Sequence, residues 1–180
     1  MENEHAVYLR VLEPEDIDRV YRWHNDQKLY RDLVSTHHFV SRATVEKWLD
    51  QKGSFLDHEL NLAICLKENS LHIGNVYLRE INWVDRNCSS GFVIGEADHR
   101  GKGYGRQALR LLFDYAFLTL GLNRIYGYVF ESNKASLRLC ESVGYVVEGK
   151  LRKHVYKEGQ FWDLLLVGAC REDWERCRNK

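Results

Sequence analysis

Net charge is the first thing this sequence lacks: 26 Lys and Arg balance 26 Asp and Glu, and the pI is near 7.1. A chain devoted to nucleic acid or to an anionic membrane carries a basic excess, so neither is expected as a partner. Paired cysteine motifs are missing too. Cys65, Cys88, Cys140, Cys170 and Cys177 make an odd set without a C-x-x-C pair, which fits neither a disulfide framework nor a zinc site. No metal site is expected, and a reducing compartment is. The N-terminus, MENEHAVYLR, has no basic segment leading into an apolar run, and no apolar stretch reaches the roughly 18 residues of a membrane span. The cytoplasm is the expected location. Internal repeats, low-complexity tracts and linkers are also wanting. The 180 residues, 44% hydrophobic and 12% aromatic, are therefore read as one domain, 1–180, with a well-buried core.

Proline occurs once, as Pro14, where it suits the first turn of a helix that runs to Trp23 or His24 behind a short strand, Ala6 to Val11. A short helical turn through Leu29, Tyr30 and Leu33 is weaker. Ser41 then caps a helix with Val45, Trp48 and Leu49 facing a core. Strand character follows in Leu60 to Leu66, Leu71 to Ile81 and Ser89 to Ile94, separated by polar turns. Arg124 to Phe130 is a strand rich in β-formers, and Asn133 starts a helix closed by Gly144. Strands at Tyr145 to Glu148 and Phe161 to Ala169 complete the order βααβββαβαββ, a mixed α/β (α+β) fold. The five tryptophans are read as core or core-edge packing, and the C-terminal REDWERCRNK as a charged, solvated helix end.

The most informative stretch is Asp98 to Leu120. A glycine-rich basic loop, R-G-K-G-Y-G, leads into a helix whose Leu109, Leu112, Phe113, Ala116, Phe117 and Leu120 share one face. Glycines before a first helical turn expose unpaired N–H groups at the positive end of the helix dipole, a site for phosphate. Arg100 and Lys102 add charge suited to a pyrophosphate or larger anion. The spacing satisfies neither the Walker pattern nor G-x-G-x-x-G. It reads R-x-x-G-x-G, with Arg100, Gly103 and Gly105.

That pattern between a strand and a long helix resembles the acetyl-CoA-binding motif of the GNAT N-acetyltransferase superfamily. Glu131 to Tyr145 (ESNKASLRLCESVGY) is similar to the family's Asn-initiated helix ending in Leu/Val-Gly-Phe/Tyr. Glu148-Gly149, Leu151-Arg152, Gly159 and Asp163 resemble the tail of the RimJ/RimL branch. The resemblance implies a GNAT fold: a central, mostly antiparallel, twisted sheet flanked by helices, with strands splayed at the acetyl-CoA site. It implies that the loop and first helical turn, Arg100, Gly101, Lys102, Gly103, Tyr104, Gly105 and Arg106, hold the pyrophosphate. Phe92, Val93, Ile94 and Gly95 would offer strand-edge groups to the pantetheine arm, and Asn133 would bind the arm or order the next loop.

Acetyl transfer needs a neutral amine, a polarised thioester carbonyl and a proton for the departing thiolate. Many relatives supply that proton from a Tyr where this chain has Cys140. Some carry a Glu base where this chain has Ser89. Cys140 is thus the candidate proton donor. His37 and His38, in the loop implied to wall the acceptor site, are the candidate bases. The expected activity is direct transfer from acetyl-CoA to a primary amine of a small molecule or a peptide N-terminus. Alternatives are an amino-sugar nucleotide acceptor, suggested by LYRDLVSTHHFVS, and a CoA-binding sensor without catalysis. The resemblance also implies pairing of two copies, a homodimer, through the last strands.

Overall fold

The computed structural model describes residues 5–52 and 57–178. Strand β1 (Val7–Val11) is followed by helices α1 (Ile17–His24), α2 (Gln27–Arg31) and α3 (Arg42–Lys52). Strands β2 (Glu59–Leu66), β3 (His72–Asn82) and β4 (Asn87–Ile94) come next, then α4 (Tyr104–Asp114), β5 (Arg124–Phe130) and α5 (Lys134–Glu141). Strands β6 (Val146–Lys157) and β7 (Gln160–Cys170) form a hairpin, and α6 (Arg171–Arg178) closes the described chain. Among the described residues the strands make one seven-stranded sheet in the order β1-β2-β3-β4-β5-β7-β6, antiparallel except between β4 and β5.

The alternation of β2 divides the core. Leu60, Ile64 and Leu66 join a cluster with Leu109, Leu112, Phe113 and Phe117 of the α4 stretch, while Ala63 and Cys65 join Val20, Trp23, Val45 and Leu49 under α1 and α3. Period-two alternation sends successive side chains to opposite faces, so a strand covered on both sides reads as one apolar run. The expected apolar face of α4 is the buried one. The helix continues as a π-helical turn, Tyr115–Thr119, before Gly121 turns it with φ of +67°.

Beneath α1 lies a buried polar cluster. Asp16, just before α1, is 1% exposed and takes two hydrogen bonds from the Arg10 guanidinium, at 2.7 and 2.8 Å, and one from the Glu13 amide at 2.9 Å. His72 Nδ1 lies 2.8 Å from its other side, at ion-pair distance but poorly aligned for a hydrogen bond. Burial alone would raise the Asp16 pKa; the hydrogen bonds from Arg10 and Glu13, together with the adjacent His72 imidazole, overcome it and hold the carboxyl well below the usual range.

The expected short helical turn is α2, capped by the Asp26 carboxylate, which accepts the Lys28 and Leu29 amides. Three expectations are corrected. Strand β6 runs on to Lys157 rather than ending at Glu148. Its pairing with β7 is interrupted between Leu151 and Val155, where Lys153 is left-handed (φ 51°) and donates its amide to Asp163. Trp83 is 43% exposed instead of packed in the core. The C-terminal helix is anchored, not merely solvated: Trp174 is 4% exposed, lies on the Phe117 ring and donates to Asp114 at 3.0 Å.

Candidate active site

Strands β4 and β5 run side by side only over Asn87–Ser89 and Arg124–Tyr126. Beyond that they part, β4 staying with β3 to the Ile94–Gly74 pair and β5 with β7 to the Phe130–Leu164 pair. The sheet is thus two leaves joined at a short hinge, and the expected splay of strands lies there. Strand edges left open within a fold need hydrogen-bond partners, so the wedge suits a ligand that carries amides. Tyr145 Oη and Ser90 Oγ are hydrogen-bonded near its apex. Tyr145 is buried, which drives its phenol pKa far above the usual value.

The loop at the end of β4 is braced before it reaches α4. Arg100 folds back, its Nε donating to the Ile94 carbonyl at 2.9 Å and its Nη2 to that of Gly95 at 2.8 Å. Glu96 pairs with Arg22 of α1. Gly101 and Gly103 are left-handed, at φ of 75° and 81°, and open space faces both where a Cβ would stand. Gly103 is the N-cap of α4, and no side chain caps that turn. The first amides of α4 therefore face an unobstructed approach, with Lys102 and Arg106 exposed beside them. Free amides at a helix N-terminus flanked by cations have the chemistry to hold an anion. Arg100, by contrast, serves β4 instead of reaching outward.

A cavity of about 410 Å³ opens at the wedge. Phe92 and Val93 of β4, Gly127 to Phe130 of β5, Asn133, Cys140 and Tyr145 line one side of it. Asn133 caps α5 by accepting the Ser136 amide at 3.0 Å and reaches the Asp32 carbonyl at 3.5 Å, so it joins α5 to the segment after α2. Cys140 is 5% exposed, and burial pushes its thiol up to about 11. His38 is exposed, and His37 packs edge-on against Tyr30 and Phe39. Neither histidine lines the cavity.

The opposite wall carries groups that the sequence reading did not assign to a site. Trp23 and His24 of α1, Tyr30 of α2 and Trp48 of α3 meet Tyr77, Arg79 and Glu80 of β3 there. Tyr30 Oη lies 2.9 Å from His24 Nδ1. Glu80 stands where the β3–β4 register breaks, left-handed at φ of 54°, and accepts the Tyr126 hydroxyl at 2.8 Å. Burial and that hydrogen bond push the Tyr126 pKa up to about 12. Arg79 lies over the Tyr77 ring at 4.2 Å and 3.3 Å from the Glu59 carboxylate. The only sequence signal for these was the polar Arg79-Glu80 step inside an otherwise alternating strand. The tail residues have structural posts: Glu148 pairs with Arg124, and Asp163 takes the Lys153 amide and the Lys150 ammonium.

The family model described as an acetyltransferase (GNAT) domain matches residues 6–146. The putative ribosomal N-acetyltransferase YdaF of Bacillus subtilis (strain 168) is 30% identical over 177 residues, 96% of this chain and 95% of that protein. The spermidine N(1)-acetyltransferase of Escherichia coli (strain K12) is 28% identical over 161 residues, 89% of this chain and 84% of that protein. The crystal structure of spermidine N-acetyltransferase from Vibrio cholerae in complex with CoA and spermine shares the fold, with a TM-score of 0.86 at 24% identity, covering 94% of this chain and 98% of that one. No helix among the described residues is long and apolar enough to cross a membrane. With a family match over most of its length, the parted strands and the open α4 loop, the chain belongs to the GNAT acetyltransferase family and is an acetyl-CoA-dependent N-acetyltransferase.

Proposed function

We propose that the chain transfers acetyl to a primary amine by direct attack in a ternary complex, the amine belonging to a small molecule or a protein N-terminus. The observation that carries this reading is that one and the same cavity is walled by the parted β4 and β5 and by the N-terminal helices. Donor and acceptor can meet in it without a covalent enzyme intermediate. Acetyl-CoA supplies an acetyl group activated as a thioester. The amides from Gly101 to Arg106 would hold its pyrophosphate, with Lys102 and Arg106 adding charge. The edge of Phe92, Val93, Ile94 and Gly95 would take the pantetheine amides, Arg100 would keep that edge in place, and Asn133 would order the floor.

On the acceptor side Asp32 and Glu80 line the cavity, which favours a cationic amine. Similarity to a putative ribosomal acetyltransferase and to spermidine acetyltransferases supports both a protein N-terminus and a polyamine as candidates. An amino-sugar nucleotide is the second reading, resting on the Leu29 to Ser41 segment. The test measures release of CoA thiol from acetyl-CoA with an N-terminal peptide, spermidine and an amino-sugar nucleotide. Thiol appearing with at least one amine is expected. Binding of acetyl-CoA without turnover of any amine would leave the sensor reading in its place. The five cysteines, all free thiols, support a reducing cytoplasm. Val146, Val147 and Tyr156, exposed on the edge strand β6, support pairing of two copies.

Cys140 lies on the cavity wall and keeps its proton at neutral pH. A thiol at about 11 is a reluctant donor to a leaving thiolate whose own pKa is near the ordinary ~8.5 of a thiol. Cys140→Ala is therefore expected to lower kcat by no more than about tenfold, less than the 10²- to 10⁴-fold typical of a general acid. Steady-state kinetics with saturating acceptor would read this. A larger loss would assign proton delivery to the thiol.

A further inference from the structure

The reacting amine arrives mostly as an ammonium ion, and it must lose a proton before it can attack. Neither His37 nor His38 reaches the cavity. Glu80 already holds the Tyr126 hydroxyl. One pair on the acceptor wall combines a hydroxyl with an imidazole at hydrogen-bond distance, Tyr30 Oη and His24 Nδ1, 2.9 Å apart, and both residues line the cavity. We propose, resting on the acetyltransferase reading above, that Tyr30 and His24 form the proton relay of the acceptor site. An N–H bond of the ammonium breaks and leaves its electron pair on nitrogen. That proton bonds to Tyr30 Oη as the Tyr30 proton passes to His24 Nδ1. The imidazole becomes imidazolium and later returns the proton to solvent. No oxidant, reductant or further reactant is needed.

The surroundings fit each role. His24 meets Tyr30 of α2, Trp48 of α3, Arg79 of β3 and His37 of the connecting loop. Burial, then the charges of Arg79 and His37, lower its pKa, so the imidazole is neutral and able to accept at pH 7. Burial raises the Tyr30 pKa, so the phenol keeps its proton and passes one on instead of resting as phenolate. Rings fix the geometry: Trp48 lies edge-on to His24 at 5.7 Å and His37 edge-on to Tyr30 at 5.2 Å. The main chain is held as well, since Lys157, from the β6–β7 hairpin, donates to the carbonyls of Tyr30, Leu33 and Ser35.

The experiment pairs an NMR titration of His24 in the ligand-free protein with pH profiles of kcat/KM from pH 5 to 9, using spermidine, an N-terminal peptide and an amino-sugar nucleotide as acceptors. His24 should titrate below the ordinary 6.5, and the rate should fall on the acid side with unit slope at that same pH. His24→Gln keeps a partner for the Tyr30 hydroxyl but cannot take a proton. It should lose the acid limb and about 10²-fold in kcat, with KM for acetyl-CoA within twofold and a deficit that shrinks at pH 9. Tyr30→Phe should lose a similar factor while His24 still titrates. A wild-type enzyme that turns over, together with His24→Gln that keeps the acid limb and most of its kcat, overturns the relay alone. Absence of thiol release by the wild type with all three amines overturns the enzymatic reading and the relay with it.

Discussion

Gly74→Ala is expected to destabilise the fold by about 3 kcal/mol, the upper range for forcing extra atoms into a packed core. Gly74 sits in β3 opposite Ile94 of β4, and a Cβ built on it lands on the carbonyl oxygen of Val93, with the Ile94 Cα 2.9 Å away. Both obstacles are backbone, so no rotamer change relieves the clash. The neighbouring main chain is committed too: the amides of Gly95 and Glu96 both donate to the Ile73 carbonyl, at 2.9 and 3.1 Å. Moving β4 aside would therefore disturb the strand end that leads into the Arg100 loop. For a chain of this length the loss corresponds to roughly 6–12 °C in melting temperature. KM for acetyl-CoA should rise in whatever folded protein remains. A thermal scan placing the variant within 2 °C of the wild type would show that the strands separate at little cost, contrary to the packing argument.

Asp16→Ala is expected to cost about 3–5 kcal/mol, the range for removing one member of a buried ion pair. The deletion strands the Arg10 guanidinium and the His72 ring, the latter 1% exposed, without the carboxylate that both face. Asp16→Asn restores an acceptor and should recover part of the loss. The pH dependence has a definite sign. The folded-state pKa of Asp16 lies below the unfolded value of 3.8, so the unfolded chain binds the proton more readily. Stability from this group is complete above about pH 4 and is lost as the pH falls towards the folded pKa. Urea titrations at pH 3 and pH 7 should therefore show a smaller drop for Asp16→Asn than for the wild type. Equal drops would mean that the carboxyl titrates normally in the fold.

Local periodicity made some of this architecture readable and could not reach the rest. The α4 face, the glycine loop and the Ser41 cap, whose hydroxyl accepts the Thr44 amide at 3.1 Å, depend on neighbours a turn or less away. The parting of β4 and β5 was legible only through resemblance to a family, since nothing in RIYGYVF says where pairing stops. Strand β6 read short because its pairing shifts register between Val147 and Gly149, where the expected strand ended, and again around left-handed Lys153, whose conformation is held by Asp163 of the neighbouring strand. Trp174 was hidden by six charged residues in REDWERCR, yet one indole is enough to seat a helix on a core. The candidate bases His37 and His38 do not line the cavity, because proximity in sequence says nothing about the direction of a loop side chain. His24 and Tyr30 lie on separate helices with the Asp26 cap between them, and only the packing of α1 against α2 brings their polar atoms together.

The short hinge between the two leaves ties folding to metabolism. Strands β1 to β4 build one leaf and β5 to β7 the other, so the wedge is a seam between two consecutive stretches of the chain. A ligand bridging that seam would act as mortar, adding free energy that grows with its concentration, about 2.7 kcal/mol at a hundred times its Kd. With acetyl-CoA seated in the wedge as proposed, its abundance would become resistance to unfolding and to proteolysis. The fold would be sturdiest when the acyl donor is plentiful.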